Sequence, residues 1–204
     1  MIRRSAVPRQ VRIIAGQWKR TPLPVPDVEG LRPTPDRVRE TVFNWLEHLQ
    51  HRSWQGRHCL DLFAGTGALG FEAASRGAES VLMVESQARA IQSLEATRDK
   101  LSATNVRIER GDAVQWLARQ TQKFHLIFLD PPYSEQRLPD LLPRCRDLLM
   151  PGGLVYAEAD RPFTDPAAGP WMTAWKVVRL DKAGAVHFGL FTPDDTASNE
   201  GNAE

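Results

Sequence analysis

The chain's pattern predicts an α/β fold built on a mostly parallel sheet, and three observations predict it. Apolar runs of strand length recur at 59–63, 81–84, 106–108, 124–129 and 154–156. Helix-length segments at 68–77, 87–103, 113–121 and 136–149 separate them. The runs are continuous rather than alternating, as expected of strands buried on both faces of a parallel sheet. Two later segments, 176–180 and 185–191, are joined by the turn-forming stretch 181–184, which predicts an antiparallel hairpin at the sheet edge.

Ahead of this repeating unit lie two different pieces. Residues 1–33 form a basic arm punctuated by prolines, with a short apolar stretch at Val11, Ile13 and Ile14 suited to a strand or hairpin. Pro22, Pro24 and Pro26 hold the backbone extended and preclude helix there. Thr34-Pro35 then opens a leading helix over 34–50, with Thr able to cap and Pro suited to the first turn. Val38, Val42, Trp45, Leu46 and Leu49 recur at helical spacing and form its apolar face, with Arg37, Arg39 and Glu40 off it. The main domain is expected over 34–191. Residues 192–204 are polar and acidic without an apolar pattern and are expected to be a disordered tail.

With 204 residues the chain fits one domain with modest extensions, and its 42% apolar and 25% charged content is ordinary for a soluble protein. Cys59 and Cys145 show no metal-ligand spacing, and the five histidines show none either, so no metal is expected. Two isolated cysteines, no secretory signal and no apolar run near the roughly 20 residues of a membrane span suggest a cytoplasmic setting. Charge is unevenly spread. Residues 1–57 carry 11 Lys/Arg against 5 Asp/Glu, a net of +6, and the remainder a net of −5. A basic arm on a mildly acidic body suggests contact with a polyanion, against the plain alternative of a solvated surface.

Two motifs carry chemistry. The first is Asp61-Leu62-Phe63-Ala64-Gly65-Thr66-Gly67, continuing to Gly70 to complete G-x-G-x-x-G between a strand and a helix. Glycines there let the backbone turn and approach a ligand, a feature that NAD, FAD and S-adenosylmethionine (SAM) sites share. Glu85 stands 20 residues past Gly65, where a carboxylate can accept from ribose hydroxyls of either cofactor class. Asp61 separates the classes, because a carboxylate inside the first strand repels a pyrophosphate and attracts the cationic amino-acid end of SAM. Asp112 after the third strand can accept from an adenine amine. Phe63, Ser86 and Ala113 complete the candidate cofactor set. Structural alternatives stay open: Asp61 as a loop or cap residue, Glu85 as a surface acid, Asp112 as a helix N-cap.

The second motif is Asp130-Pro131-Pro132-Tyr133, at the carboxyl end of the fourth strand. A base amine such as guanine N2 is a poor nucleophile because its lone pair is delocalised into the ring. Asp130 and the Pro131 carbonyl can each accept one N–H and draw the nitrogen toward a lone-pair-available geometry. Two prolines stiffen the backbone that presents these acceptors, and Tyr133 can stack on an extruded base. Methyl transfer from SAM to a nitrogen on a planar base follows from the two motifs together. A plain proline-rich turn is the alternative.

On these residues, together with Arg12-Ile13-Ile14-Ala15-Gly16 and the block Leu31-Arg32-Pro33-Thr34-Pro35-Asp36-Arg37-Val38-Arg39-Glu40, the chain resembles the RsmD-type family of bacterial rRNA methyltransferases over 11–191. The resemblance implies a Rossmann-like, seven-stranded SAM-dependent methyltransferase fold with a small N-terminal extension. It further implies SAM as donor and transfer to N2 of a guanine in 16S rRNA, as in the guanine(966)-N2 enzyme, within a 30S assembly particle. Arg12, Lys19, Arg20, Arg32, Arg37 and Arg39 are the candidate phosphate contacts, with Arg37 or Arg39 alternatively serving the fold. Trp18 can stack on a base or pack against the domain. A DNA adenine-N6 or cytosine-N4 methyltransferase is the competing reading, disfavoured because the chain has no room for a target-recognition domain. A noncatalytic binding protein is disfavoured by the intact tetrapeptide. A monomer without membrane contact is expected.

Overall fold

The computed structural model describes residues 10–28, 31, 33–49, 51, 53–132, 137–164 and 172–194. The expected sheet forms from seven strands: β3 (His58–Asp61), β4 (Ser80–Glu85), β5 (Val106–Arg110), β6 (Phe124–Leu129), β7 (Leu149–Ala159), β8 (Trp175–Ala183) and β9 (Val186–Pro193). Their spatial order is β5-β4-β3-β6-β7-β9-β8. The first five are parallel, and β9 pairs antiparallel with both β7 and β8, which makes the expected edge hairpin. Before them β1 (Gln10–Arg12) and β2 (Pro22–Pro24) pair as a small antiparallel hairpin, followed by α1 (Asp36–Leu49).

Order in the sheet decides where a ligand can go. From β3 the chain builds outward through β4 and β5, then returns to the other side of β3 to lay down β6 and β7. The loops leaving β3 and β6 therefore diverge from neighbouring strands, and the crevice at such a reversal is where open parallel sheets bind ligands. The glycine motif follows β3 and the Asp-Pro-Pro motif follows β6. Both fall at that crevice.

Two apolar clusters cover the two faces. One gathers β1, β2, α1, α2 (Ala68–Ser75) and the inward residues of α3 (Ala88–Leu101) around Cys59, Met83 and Phe128. The other gathers α4 (Ala113–Leu117) and α5 (Leu138–Arg146) around Leu60, Ile127 and Val155. Alternate residues of a single strand thus feed opposite clusters, the period-2 consequence of the pleat.

The N-terminal hairpin is docked onto α2 through buried polar groups. Glu72, fully buried, accepts hydrogen bonds from the Ile14 and Ala15 N–H groups at 2.6 and 3.0 Å. Its charge is offset by Arg76, whose Nε lies 2.7 Å from Oε1 and which also pairs with Glu47. Ser75 accepts from the Trp18 N–H and donates to the Ala15 carbonyl. Gly16 has φ +81°, and a Cβ there would lie 1.9 Å from the Ser75 carbonyl oxygen, so this approach requires glycine.

Several boundaries differ from those the sequence predicts. α4 ends at Leu117 rather than 121, and α5 spans Leu138–Arg146 within the expected 136–149. β7 begins at Leu149 because Pro151-Gly152-Gly153, which has the composition of a turn, instead crosses an irregularity in the β6–β7 pairing. β9 runs on to Pro193, and the Asp194 N–H bonds the Ala174 carbonyl, so the expected tail cannot start at 192. Residues 195–204 lie outside the described residues. Thr34 does not cap α1; its hydroxyl is committed to Asp130. Arg39 is also corrected. Expected off the apolar face, it is fully buried beside Val38 and Val42, because the hairpin covers a second face of α1 that helical periodicity does not reveal.

Candidate active site

The glycine-motif side of the crevice is a loop held open by backbone pairing to both neighbours. As β3 ends, the Leu62 N–H bonds the Phe128 carbonyl of β6, and the Ala64 N–H bonds the Val84 carbonyl of β4. Gly67 then enters α2 at φ +76°, where a Cβ would sit 2.5 Å from the Phe71 ring. Asp61, 2% exposed, accepts the Gly70 N–H at 3.0 Å through Oδ2, which fixes the first turn of α2 over the strand. Glu85 braces the loop from the other side. Its Oε2 accepts the Gly65 N–H at 2.8 Å, and its Oε1 accepts the Ser86 and Gln87 N–H groups at 2.7 and 2.8 Å.

Asp112 is the N-cap of α4: its Oδ1 accepts from Val114 and Gln115, both at 3.1 Å. Its Oδ2 pairs with Arg137 Nη1 at 2.7 Å, so an adenine amine reaching this carboxylate has to share Oδ2 with a guanidinium. Phe63 is half-buried in the loop, Ser86 exposed after β4, and Ala113 buried at the start of α4.

On the other side of the crevice, Asp130 follows β6 directly, with Pro131 buried and Pro132 exposed. Tyr133 lies outside the described residues. The Thr34 hydroxyl donates to Asp130 Oδ2 at 3.1 Å, joining the N-terminal block to the second motif. Next to Asp130 stands Glu158, since Leu129 pairs with Ala157 in the β6–β7 register and each acid comes one residue later. Glu158 is buried and accepts from the Tyr156 hydroxyl at 2.6 Å. The sequence alone marks neither Thr34 nor Glu158 as a site residue. Thr34 has the position of a helix cap, and Glu158 sits in a strand whose pairing partner only the sheet order reveals.

Proton affinities divide these acids. Burial pushes the Asp61 carboxyl up to about 7; the Gly70 N–H opposes this and the charge of Glu85 adds to it. Asp130 is likewise held well above the usual carboxylate range, by burial first and then by Glu158, with the Thr34 hydroxyl opposing and Asp61 adding. Asp112 goes the other way. The Arg137 hydrogen bond holds it below its ordinary value, with the α4 N–H groups assisting.

Of the candidate phosphate contacts, Arg12, Lys19, Arg20 and Arg37 are exposed, the first three on the hairpin and the last on α1. Arg32 lies outside the described residues. Arg39 is removed from this set by its burial: Nε donates to the Thr34 carbonyl, Nη1 to the Arg12 carbonyl at 2.9 Å, and Nη2 pairs with Asp36 at 2.6 Å. Trp18 is half-buried and packs against the core. Among the described residues no group of acids, histidines or cysteines is arranged to hold a metal, and no helix is long and apolar enough to cross a membrane.

A glycine-flanked turn and a buried carboxylate with unmet affinity for positive charge suit the cationic amino-acid end of SAM. A pyrophosphate would meet Asp61 as an uncompensated negative charge. Fold and site together define a Rossmann-like, SAM-dependent methyltransferase. Within that class the chain belongs to the family described as conserved hypothetical protein 95, the RsmD family, whose pattern matches residues 11–192. It is 36% identical over 197 residues to ribosomal RNA small subunit methyltransferase D of Escherichia coli strain K12, covering 96% of this chain and 95% of that one. The Haemophilus influenzae protein of the same name is 36% identical over 192 residues, covering 89% and 93%. The solved structure of the methyltransferase-class protein yhhF from Escherichia coli superposes with a TM-score of 0.78 at 37% identity, covering 91% of this chain and 98% of that chain.

Proposed function

We propose that this chain methylates the exocyclic N2 of a guanine in 16S rRNA, acting on an extruded base within a 30S assembly particle. The observation that carries the reading is the placement of Asp130 directly after the strand next to the glycine loop, with its carboxylate bonded by Thr34. The names of the relatives support RNA of the small subunit as the substrate class.

SAM supplies an electrophilic methyl group on a sulfonium centre. Asp61, Phe63, the Gly65–Gly67 turn, Glu85, Ser86, Asp112 and Ala113 are the residues that would hold it. Asp130 Oδ1 accepts one amine N–H, the Pro131 carbonyl accepts the other, and Tyr133 stacks on the ring. Two acceptors on a proline-stiffened backbone draw the nitrogen lone pair out of conjugation. Forming the new N–C bond leaves the nitrogen one proton in excess, and Asp130, raised in proton affinity, is suited to receive it. Arg12, Lys19, Arg20 and Arg37 contact phosphates and set the arm on the RNA, and Arg32 of the same block joins them.

Labelled-SAM assays with naked 16S rRNA, 30S particles and DNA test this, followed by mapping of the modified nucleotide. Label is expected in one guanine of 16S rRNA. Transfer to DNA and to neither RNA substrate overturns the reading in favour of a DNA amine. Neutralising Arg12, Lys19 and Arg20 together is expected to lower the slope of log affinity against log salt by roughly one for each phosphate no longer neutralised.

A further inference from the structure

Asp130 has two carboxylate oxygens, and one of them meets a hydroxyl that comes from the far end of the chain. Thr34 is 5% exposed and donates to Asp130 Oδ2 across 96 residues of sequence. It is itself fixed. Its carbonyl accepts from Arg39 Nε, and the Arg39 guanidinium is pinned by the Arg12 carbonyl of the hairpin and by the Asp36 carboxylate. A continuous set of hydrogen bonds therefore runs from β1, through Arg39 and Thr34, to the acid that faces the substrate amine.

We propose that Thr34 is a positioning residue for methyl transfer: by occupying Oδ2 it fixes the rotation of the Asp130 carboxylate and leaves Oδ1 directed at the amine. The inference rests on the reading of Asp130 given above. A carboxylate held by one short-range donor on a rigid support loses its freedom to swing about its last side-chain torsion, and such preorganisation is what makes an acceptor effective. The hydroxyl also tunes charge. Glu158 on β7 and Asp61 on β3 both face Asp130 and favour its protonated form, and Thr34 is the group that opposes them. Because the ionised carboxylate is the better acceptor, loss of the hydroxyl removes activity first at acid pH. The acid limb of the rate profile then moves to higher pH.

The test uses the full chain with Thr34→Val, which removes the hydroxyl and keeps the shape, and Thr34→Ser, which keeps the hydroxyl. Three quantities are read. They are the single-turnover rate on unmethylated 30S particles as a function of pH, SAM affinity by calorimetry, and the Asp130 titration by carbon-13 carboxyl NMR, assigned with Asp130→Asn. Thr34→Val is expected to slow the plateau rate by about 10-fold or more and to raise both the acid limb and the Asp130 titration. SAM affinity should stay within about twofold, and Thr34→Ser should restore the plateau, the limb and the titration. A Thr34→Val chain with normal plateau and limb overturns the proposal. So does a rate loss that merely follows the unfolded fraction while the Asp130 titration stays put. If Thr34→Val does not fold, Thr34→Ala decides by the same readouts. A wild-type chain that leaves every RNA and 30S substrate unmodified overturns the functional reading instead, and the Asp130 titration then decides the Thr34 contact alone.

Discussion

Asp112 and Asp130 occupy equivalent places, each following a parallel strand at the carboxyl-end rim of one sheet, yet the fold treats them in opposite ways. Asp112 is satisfied internally: one oxygen caps α4, the other pairs with Arg137, and its proton affinity falls. Asp130 sits at the sheet's reversal among two other acids, with one hydroxyl against it, and its proton affinity rises. Asp61, on the strand beside it, behaves like Asp130. A carboxylate satisfied by its own chain stabilises the fold. One kept partly or wholly out of water and under-compensated lowers stability and holds affinity in reserve for a cation or an amine, which is how perturbed acids come to mark functional sites.

The largest expected effect comes from Asp130. Asp130→Ala should lower single-turnover methyl transfer by about 10²–10³-fold, the range for removing one preorganised transition-state partner, and leave SAM affinity within about threefold. A near-normal rate would break the comparison at its centre, because a spectator acid would then explain the raised proton affinity equally well.

Asp61 gives the next effect, and it has two signs. In the folded chain its proton affinity is raised from 3.8 to about 7. For an acid shifted in that direction, the contribution to stability is fully present below the unfolded value near 3.8 and is lost as pH rises through 7. At pH above 7 the cost reaches about 4 kcal/mol, as an order of magnitude. Asp61→Asn keeps an oxygen for the Gly70 N–H and removes the ionisation. Thermal unfolding of the cofactor-free variant should therefore occur at higher temperature than wild type in mildly alkaline buffer, with the difference vanishing in acid. SAM affinity should fall by about 100-fold in the same variant, since a charge-assisted contact is removed. Wild-type SAM affinity should also weaken as pH drops below about 7, approaching tenfold per pH unit, because a protonated Asp61 has to lose its proton for the cation to bind. Calorimetry across pH checks this. A flat profile would mean that Asp61 does not meet the cationic end of the cofactor.

The sheet is legible in the sequence because burial on both faces writes continuous apolar runs, and the crevice is legible because glycines and acids follow successive strands. What stays concealed is tertiary in origin. Arg39 has the spacing of a surface residue on α1 and is buried only because β1 and β2 pack over it. Thr34 precedes a proline at a helix start, where capping is the local expectation, and a partner 96 residues away claims its hydroxyl instead. Glu158 gains its meaning from β7 lying next to β6, a fact of strand order. Asp112 shows the reverse: the cap is visible locally as one of two roles, and only the guanidinium of Arg137 shows how much of the carboxylate remains for a ligand.

That remainder sets the smallest prediction and the sharpest use of the comparison. Asp112→Asn retains an oxygen for the α4 N–H groups and gives up the ion pair with Arg137. Both partners are about a third exposed, so solvent screens the pair, and the stability loss should be roughly 0.5–1 kcal/mol. The depressed proton affinity means this contribution is present above the unfolded value and is lost as pH falls through the folded one, so the difference between variant and wild type should shrink in acid. SAM affinity should change by only a few-fold if capping α4 is the main role of Asp112, because the one amide oxygen keeps the cap and no contact to the cofactor is then lost. A loss comparable to that of Asp61→Asn would mean that Arg137 yields Oδ2 when the cofactor binds, and would move Asp112 from the satisfied class of acids to the reserved one.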